Sequence, residues 1–126
     1  MKKLHPLLSV LFLISWGCST DFESLQERNN LYYKVNSDKP FSGSILSKYE
    51  SGQKNIEGFL RNGKPDGLQT IWYENGHKES EETWKEGKEN GLWIYWKENG
   101  KKSYEETWTG LDYIDDYKRA RKRILY

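Results

Sequence analysis

The chain has 126 residues with 20 Lys+Arg against 19 Asp+Glu, a formal charge of +1. That is room for one domain, with no surplus of positive charge to draw it to nucleic acid. Aromatics make up 15% of the residues, including six Trp and nine Tyr, yet mean hydropathy is -0.99, and wide rings in so polar a chain suit a thin pleated sheet better than a deep globular core. The single cysteine, Cys18, excludes an internal disulfide, and no Cys/His cluster offers a metal or cofactor site.

Met1-Lys2-Lys3 is a short positive segment. Leu7 to Trp16 is an apolar run too short to cross a bilayer as a mature helix and suited to a signal-peptide core. Gly17-Cys18 follows at once. The arrangement resembles a bacterial lipoprotein signal, in which a small residue precedes a cysteine that is lipidated and becomes the new N-terminus. Ser15 and Trp16 stand where that pattern has Leu and a small residue. The resemblance implies a signal peptide over residues 1–17, a lipid on Cys18 that ties the chain to a membrane, and a cell-envelope location. With Ser19 after the cysteine, it implies the outer membrane where the source has two. A free or buried cysteine in a segment cut elsewhere is the other reading.

Residues 18–30 are polar and show no sustained period, which predicts a flexible tether. Leu31 to Val35 is rich in strand formers, and Asn36-Ser37-Asp38-Lys39-Pro40 is turn chemistry, so a first strand is expected over 31–35.

From Gly43 to Gly110 the signal is periodic. Gly43, Gly67 and Gly91 recur every 24 residues, and Gly52, Gly76 and Gly100 follow each by nine. Such a period marks a repeat architecture. Each unit holds two strand-length runs around a central turn, and glycines break every run too soon for a helix. Glu74-Asn75-Gly76 and Glu98-Asn99-Gly100 carry the Asn-Gly hairpin signal, in which both residues tolerate positive φ. Gly63-Lys64 and Gly87-Lys88 lie in polar joints that reverse the chain again. The expected fold is all-β: an antiparallel meander of hairpin repeats over 31–110, with about seven strands.

Alternation sorts the faces. Leu68, Thr70 and Trp72 share one with Leu92, Ile94 and Trp96. Gln69, Ile71 and Tyr73 point the other way, with Trp93, Tyr95 and Lys97. The first set reads as the dry face and the second as an aromatic, partly wet one, while the Ser/Glu-rich second strands read as solvated. Tyr73, Trp93 and Tyr95 are then candidate contacts for a protein or polysaccharide partner. The plainer reading is that these rings only cover a thin sheet.

Pro40-Phe41-Ser42-Gly43, Asn62-Gly63-Lys64-x-x-Gly67, Trp72-Tyr73-x-Asn75-Gly76, Asn90-Gly91-x-Trp93-x-x-Trp96 and Asn99-Gly100-Lys101 together resemble the bacterial MORN-repeat variant. That group is often labelled YwqK-type, or the antitoxin component of toxin–antitoxin pairs. The likeness covers about residues 31–110 and implies the hairpin-repeat fold. For function it implies a scaffold or binding module, or an antitoxin-like inhibitor; an exported lipoprotein fits the first of these better.

Residues 111–126 lack glycine. Tyr113, Tyr117, Ala120 and Ile124 form a helical stripe, with Asp115 and Asp116 near the start and Arg119 to Arg123 near the end, as the helix dipole favours. A short C-terminal basic amphipathic helix is expected, either capping the sheet edge or offering a basic patch.

Catalysis has no foothold. The adjacent pairs Glu81-Glu82 and Glu105-Glu106 point to opposite faces of a strand and cannot converge on one substrate atom. His77 sits beside a turn glycine where the next unit has Lys101, and Gly63-Lys64 and Gly87-Lys88 lack the rest of a phosphate loop. The expectation is a non-enzymatic protein without catalytic residues.

Overall fold

The structure is a computed structural model that describes residues 18–108 and 121–126; the expected signal peptide lies outside them. Three hairpins follow one another in the chain. They are β4 (Gly43–Lys48) with β5 (Lys54–Arg61), β7 (Gly67–Trp72) with β8 (Lys78–Lys85), and β9 (Lys88–Trp96) with β10 (Lys102–Trp108). They pair in order into one antiparallel meander, which β11 (Arg121–Leu125) extends at its far edge. Two-residue β6 (Lys64–Pro65) pairs with β5, and at the near edge β1 (Thr20–Asp21) runs parallel to β4. A separate hairpin joins β2 (Leu25–Arg28) and β3 (Leu31–Lys34), so the strand expected over 31–35 stands outside the meander, which begins at β4.

Two expectations need correction. Residues 20–28 are not a free tether. Asp21 ends β1 and caps a single 3-10 turn, Phe22–Ser24, through its side chain and the Glu23 N–H. Phe22, Leu25 and Tyr32 then pack on Phe41, Ile45 and Leu60, with the Phe22 and Tyr32 rings 5.0 Å apart. The segment shows no period because it changes conformation every few residues, while its two apolar side chains cover the open end of the array, as terminal caps of repeat proteins do. The C-terminal helix also fails over 121–125. Those residues form β11, whose Arg123 meets Glu106 of β10. Pairing on an edge strand satisfies backbone groups that a helix packed there would leave exposed. The helix expected over 111–120 lies outside the described residues.

The turns divide the work in an unexpected way. At one end Asn62-Gly63 and Glu86-Gly87 both take positive φ (50° and 77°; 51° and 77°). These are two-residue type I′ loops closing on Arg61↔Lys64 and Lys85↔Lys88. At the other end Asn75-Gly76 is not of this type. Only Gly76 is left-handed, at 87°, and the Tyr73 and His77 backbones close a wider loop, N–H to carbonyl, at 2.9 Å. That is a type I turn with a glycine bulge. Register irregularities at Ser47/Lys48, Ile71/Trp72 and Lys102/Tyr104 accompany these wider loops.

Side-chain and turn hydrogen bonds recur with the same 24-residue period, closing the base of each of the first two hairpins and, at the other end, tying one hairpin to the next. The Gly63 N–H donates to the Phe41 carbonyl (2.7 Å) and the Gly87 N–H to the Pro65 carbonyl (2.8 Å). Beside them, the Asn62 N–H donates to Ser42 Oγ and the Glu86 N–H to Asp66 Oδ1. The Glu86 N–H, and next the Arg61 side chain, hold the Asp66 carboxyl below its ordinary value. At the opposite end the Tyr49 hydroxyl donates to the Trp72 carbonyl (2.7 Å), and Tyr73 repeats this to Trp96 (2.9 Å).

Candidate functional site

Paired residues across antiparallel strands share a face, so the registers assign every ring. One face carries Ile45, Ser47, Ile56 and Leu60 in the first hairpin, then Gln69, Ile71, Ser80, Glu82 and Trp84, then Trp93, Tyr95, Tyr104, Glu106 and Trp108. This is the buried face. Trp93 is 7% exposed, Glu82 8% and Glu106 3%, whereas Leu68 and Leu92 on the opposite face are 57% and 44% exposed. The dry and wet faces are therefore the reverse of those expected from sequence. The reason is volume: Trp93, Trp84 and Trp108 shield one another, with Trp93 centroids 4.9 and 5.8 Å from its neighbours, which Leu68 and Leu92 cannot do across a single layer.

This takes Trp93 out of the expected contact surface. Trp93 is core, and its indole N–H donates to the Thr83 carbonyl at 2.8 Å. Tyr95 is half-buried and stacks on Tyr104, centroids 4.3 Å apart at 22°; burial, then the nearby Glu82 carboxylate, push its phenol above the ordinary value. Tyr73 is half-buried and spends its hydroxyl on Trp96, and burial raises its phenol too. Trp93 is therefore core, while Tyr73 and Tyr95 are engaged within the sheet through the Trp96 carbonyl and the Tyr104 ring.

The adjacent glutamates split as alternation requires, but one of each pair is buried. Glu106 is held by Arg123, whose guanidinium also lies 4.9 Å from the Tyr104 ring. Glu82 accepts from the Ser80 hydroxyl at 3.0 Å. Its burial outweighs that hydrogen bond, so its carboxyl titrates above the ordinary value of 4.5. A carboxyl raised on folding stabilises the fold below its unfolded pKa, and that contribution is lost as pH rises through the folded one. Glu82→Gln should therefore gain stability relative to wild type as pH rises above about 4.5. Urea unfolding of both proteins at acid and neutral pH measures this; a constant difference between them contradicts it.

The open face is the more ordered chemically. Lys54, Lys78 and Lys102, one per hairpin, pair with Glu57, Glu81 and Glu105, at 2.9 Å in the first hairpin and 3.3 Å in the third. Each ammonium also lies over an aromatic ring one strand further on: Lys54 over Trp72 (5.3 Å), Lys78 over Trp96 (5.7 Å) and Lys102 over Tyr126 (4.9 Å). The registers Lys48↔Lys54, Trp72↔Lys78 and Trp96↔Lys102 place these residues in one row across the sheet. A parallel row of exposed apolar side chains, Phe59, Leu68 and Leu92, runs along the same face. Sequence reasoning missed the row because strict alternation puts Lys54 and Glu57, three apart, on opposite faces. The bulge in each hairpin turns the lysine over. The recurrence of Lys-x-x-Glu every 24 residues was the available signal.

The turns add His77, exposed, with its Nδ1 2.6 Å from the Glu98 carbonyl, which Asn75 Nδ2 also reaches at 2.9 Å. Among the described residues no group of three or more His, Cys, Asp or Glu is placed to hold a metal ion. No protein-family model, curated protein or solved structure matches this chain.

Proposed function

We propose that this chain is a non-enzymatic, lipid-anchored envelope protein whose MORN-type repeat sheet is a binding module for an extended protein or polysaccharide partner laid across its open face. The observation that carries this reading is the row of lysines and aromatics, repeated in register through three hairpins beside exposed apolar side chains. Stability gives little reason for such repetition. Exposed ion pairs contribute about 0–1 kcal/mol each, and exposed cation–π contacts about 0.5–1 kcal/mol. A contiguous surface of this composition is the kind that partners use. Cys18 is exposed, and only Ser19 separates it from β1. A lipid there holds the sheet edge close to the membrane, without a slack linker.

Membrane fractionation and capture from solubilised envelopes test the two parts together. Cys18→Ala should move the protein to the soluble fraction, and its retention in membranes ends the anchor. Wild type should retain a macromolecule that Trp72→Ala/Trp96→Ala loses; equal recovery removes the open face from the function. Recovery of a co-expressed toxin by wild type, and rescue from it, would favour the antitoxin-like alternative.

A further inference from the structure

We infer that the lysine–aromatic row is a subsite ladder for a neutral, extended β-linked glycan. The inference rests on the binding-module reading and names its ligand. Three features select this chemistry. The first is flat rings at a fixed interval. Trp72 and Trp96 are both half-buried, and they occupy equivalent positions two strands apart, about 10 Å in the hydrogen-bonding direction. An extended β-1,4-linked glycan turns over at each sugar, so a like face recurs at every second residue, over a comparable length. The second feature is charge. Each of Lys54, Lys78 and Lys102 is matched by a glutamate, so beyond Lys48 at its first end the row offers alternating donors and acceptors with little net field. A hydroxyl-rich neutral chain matches that pattern, whereas a polyanion would meet Glu57, Glu81 and Glu105 along its whole length. The third is that the ring faces are loosely held. The ammonium groups stand 5.3 and 5.7 Å from the Trp72 and Trp96 centroids, towards the outer limit of such contacts at about 6 Å. A sugar can displace them, placing its C–H face on the ring and its hydroxyls on the Lys/Glu pairs.

Calorimetric titration with β-1,4-linked hexasaccharides of glucose and of N-acetylglucosamine tests the inference, with the corresponding disaccharides and an oligogalacturonate as comparators. At least one neutral hexasaccharide should bind roughly tenfold or more tighter than its disaccharide, because it can engage both tryptophans. Its affinity should be insensitive to salt. Trp72→Ala and Trp96→Ala should each weaken it by roughly tenfold, the loss of one stacking contact, while Trp72→Tyr and Trp96→Tyr retain most of the binding and confirm that the sheet is intact. Absence of binding to both neutral hexasaccharides, or tighter and salt-sensitive binding to the oligogalacturonate, overturns the glycan. If the neutral hexasaccharides fail while wild type, but not the double alanine variant, captures a glycan-free protein from envelopes, the glycan falls and the binding module stands. If both fail, the module falls as well.

Discussion

Trp93→Ala should cost the protein roughly 3–5 kcal/mol, the range for removing a large buried aromatic. Trp93 is the largest of the buried hydrophobic residues, and it stands between Trp84, Trp108 and Tyr95. Its register partners are Glu82 on one side and Glu106 on the other. Truncation therefore removes three ring contacts and the hydrogen bond to the Thr83 carbonyl, and opens a void between two buried carboxyls. Whole domains are stable by only about 5–15 kcal/mol, so this single loss is a large fraction of the total. Trp72→Ala, on the open face, should cost far less. Urea unfolding followed by far-ultraviolet circular dichroism compares them; equal costs would contradict this assignment of the faces, and a larger cost at Trp72 would reverse it. Trp93→Phe separates the terms: it keeps an aromatic ring and loses the hydrogen bond, worth about 1 kcal/mol.

The second large effect is expected at a glycine. Gly63→Ala should destabilise by roughly 1–3 kcal/mol through backbone conformation alone, because its φ is 77°. Space adds to this. A Cβ there would stand 3.0 Å from Leu31 Cβ and from the backbone N and O of Tyr32, and backbone cannot swing aside as a flexible side chain can. Gly63 also donates to Phe41 and accepts from the Tyr32 N–H, so any relief by movement breaks the link between the N-terminal hairpin and the first repeat. Gly52→Ala is the control. Its φ is 87° but nothing lies within 4 Å of its Cβ position, so it should show the conformational cost without the clash. Thermal unfolding midpoints rank them; a Gly63→Ala midpoint equal to that of Gly52→Ala removes the steric part of the argument.

The repeat period was plain in the glycines, and with it the hairpin count and the antiparallel meander, though the expected start at residue 31 was too early because β3 pairs with β2 in a separate sheet. The faces were not, for a physical reason. Period-two alternation tells which residues share a side but not which side is dry, and hydropathy alone favours burying Leu68 and Leu92 over Ser80 and Glu82. In a single layer the dry side is the one whose side chains are wide enough to cover each other, and that side carries Trp84, Trp93 and Trp108. The Asn75-Gly76 turn was misread because Asn-Gly fits two loop types, and only the bulge beside Trp72 distinguishes them. Arg123 shows a third limit. The order of acidic before basic residues near the C-terminus suits a helix dipole, yet Arg123 serves instead as the partner of Glu106 across a strand pair.

The stitching at the type I′ turns has a consequence for how the molecule is made. The N–H groups of Asn62 and Gly63 find their acceptors in Ser42 and Phe41, and those of Glu86 and Gly87 find theirs in Asp66 and Pro65. Every such donor looks backward along the chain, to a segment already synthesised. A polypeptide emerging N-terminus first can therefore close each hairpin at its base as soon as its second strand has appeared, over loop closures short enough to be fast. Assembly then proceeds like a zip with one direction, and at each moment the growing edge exposes a single unpaired strand.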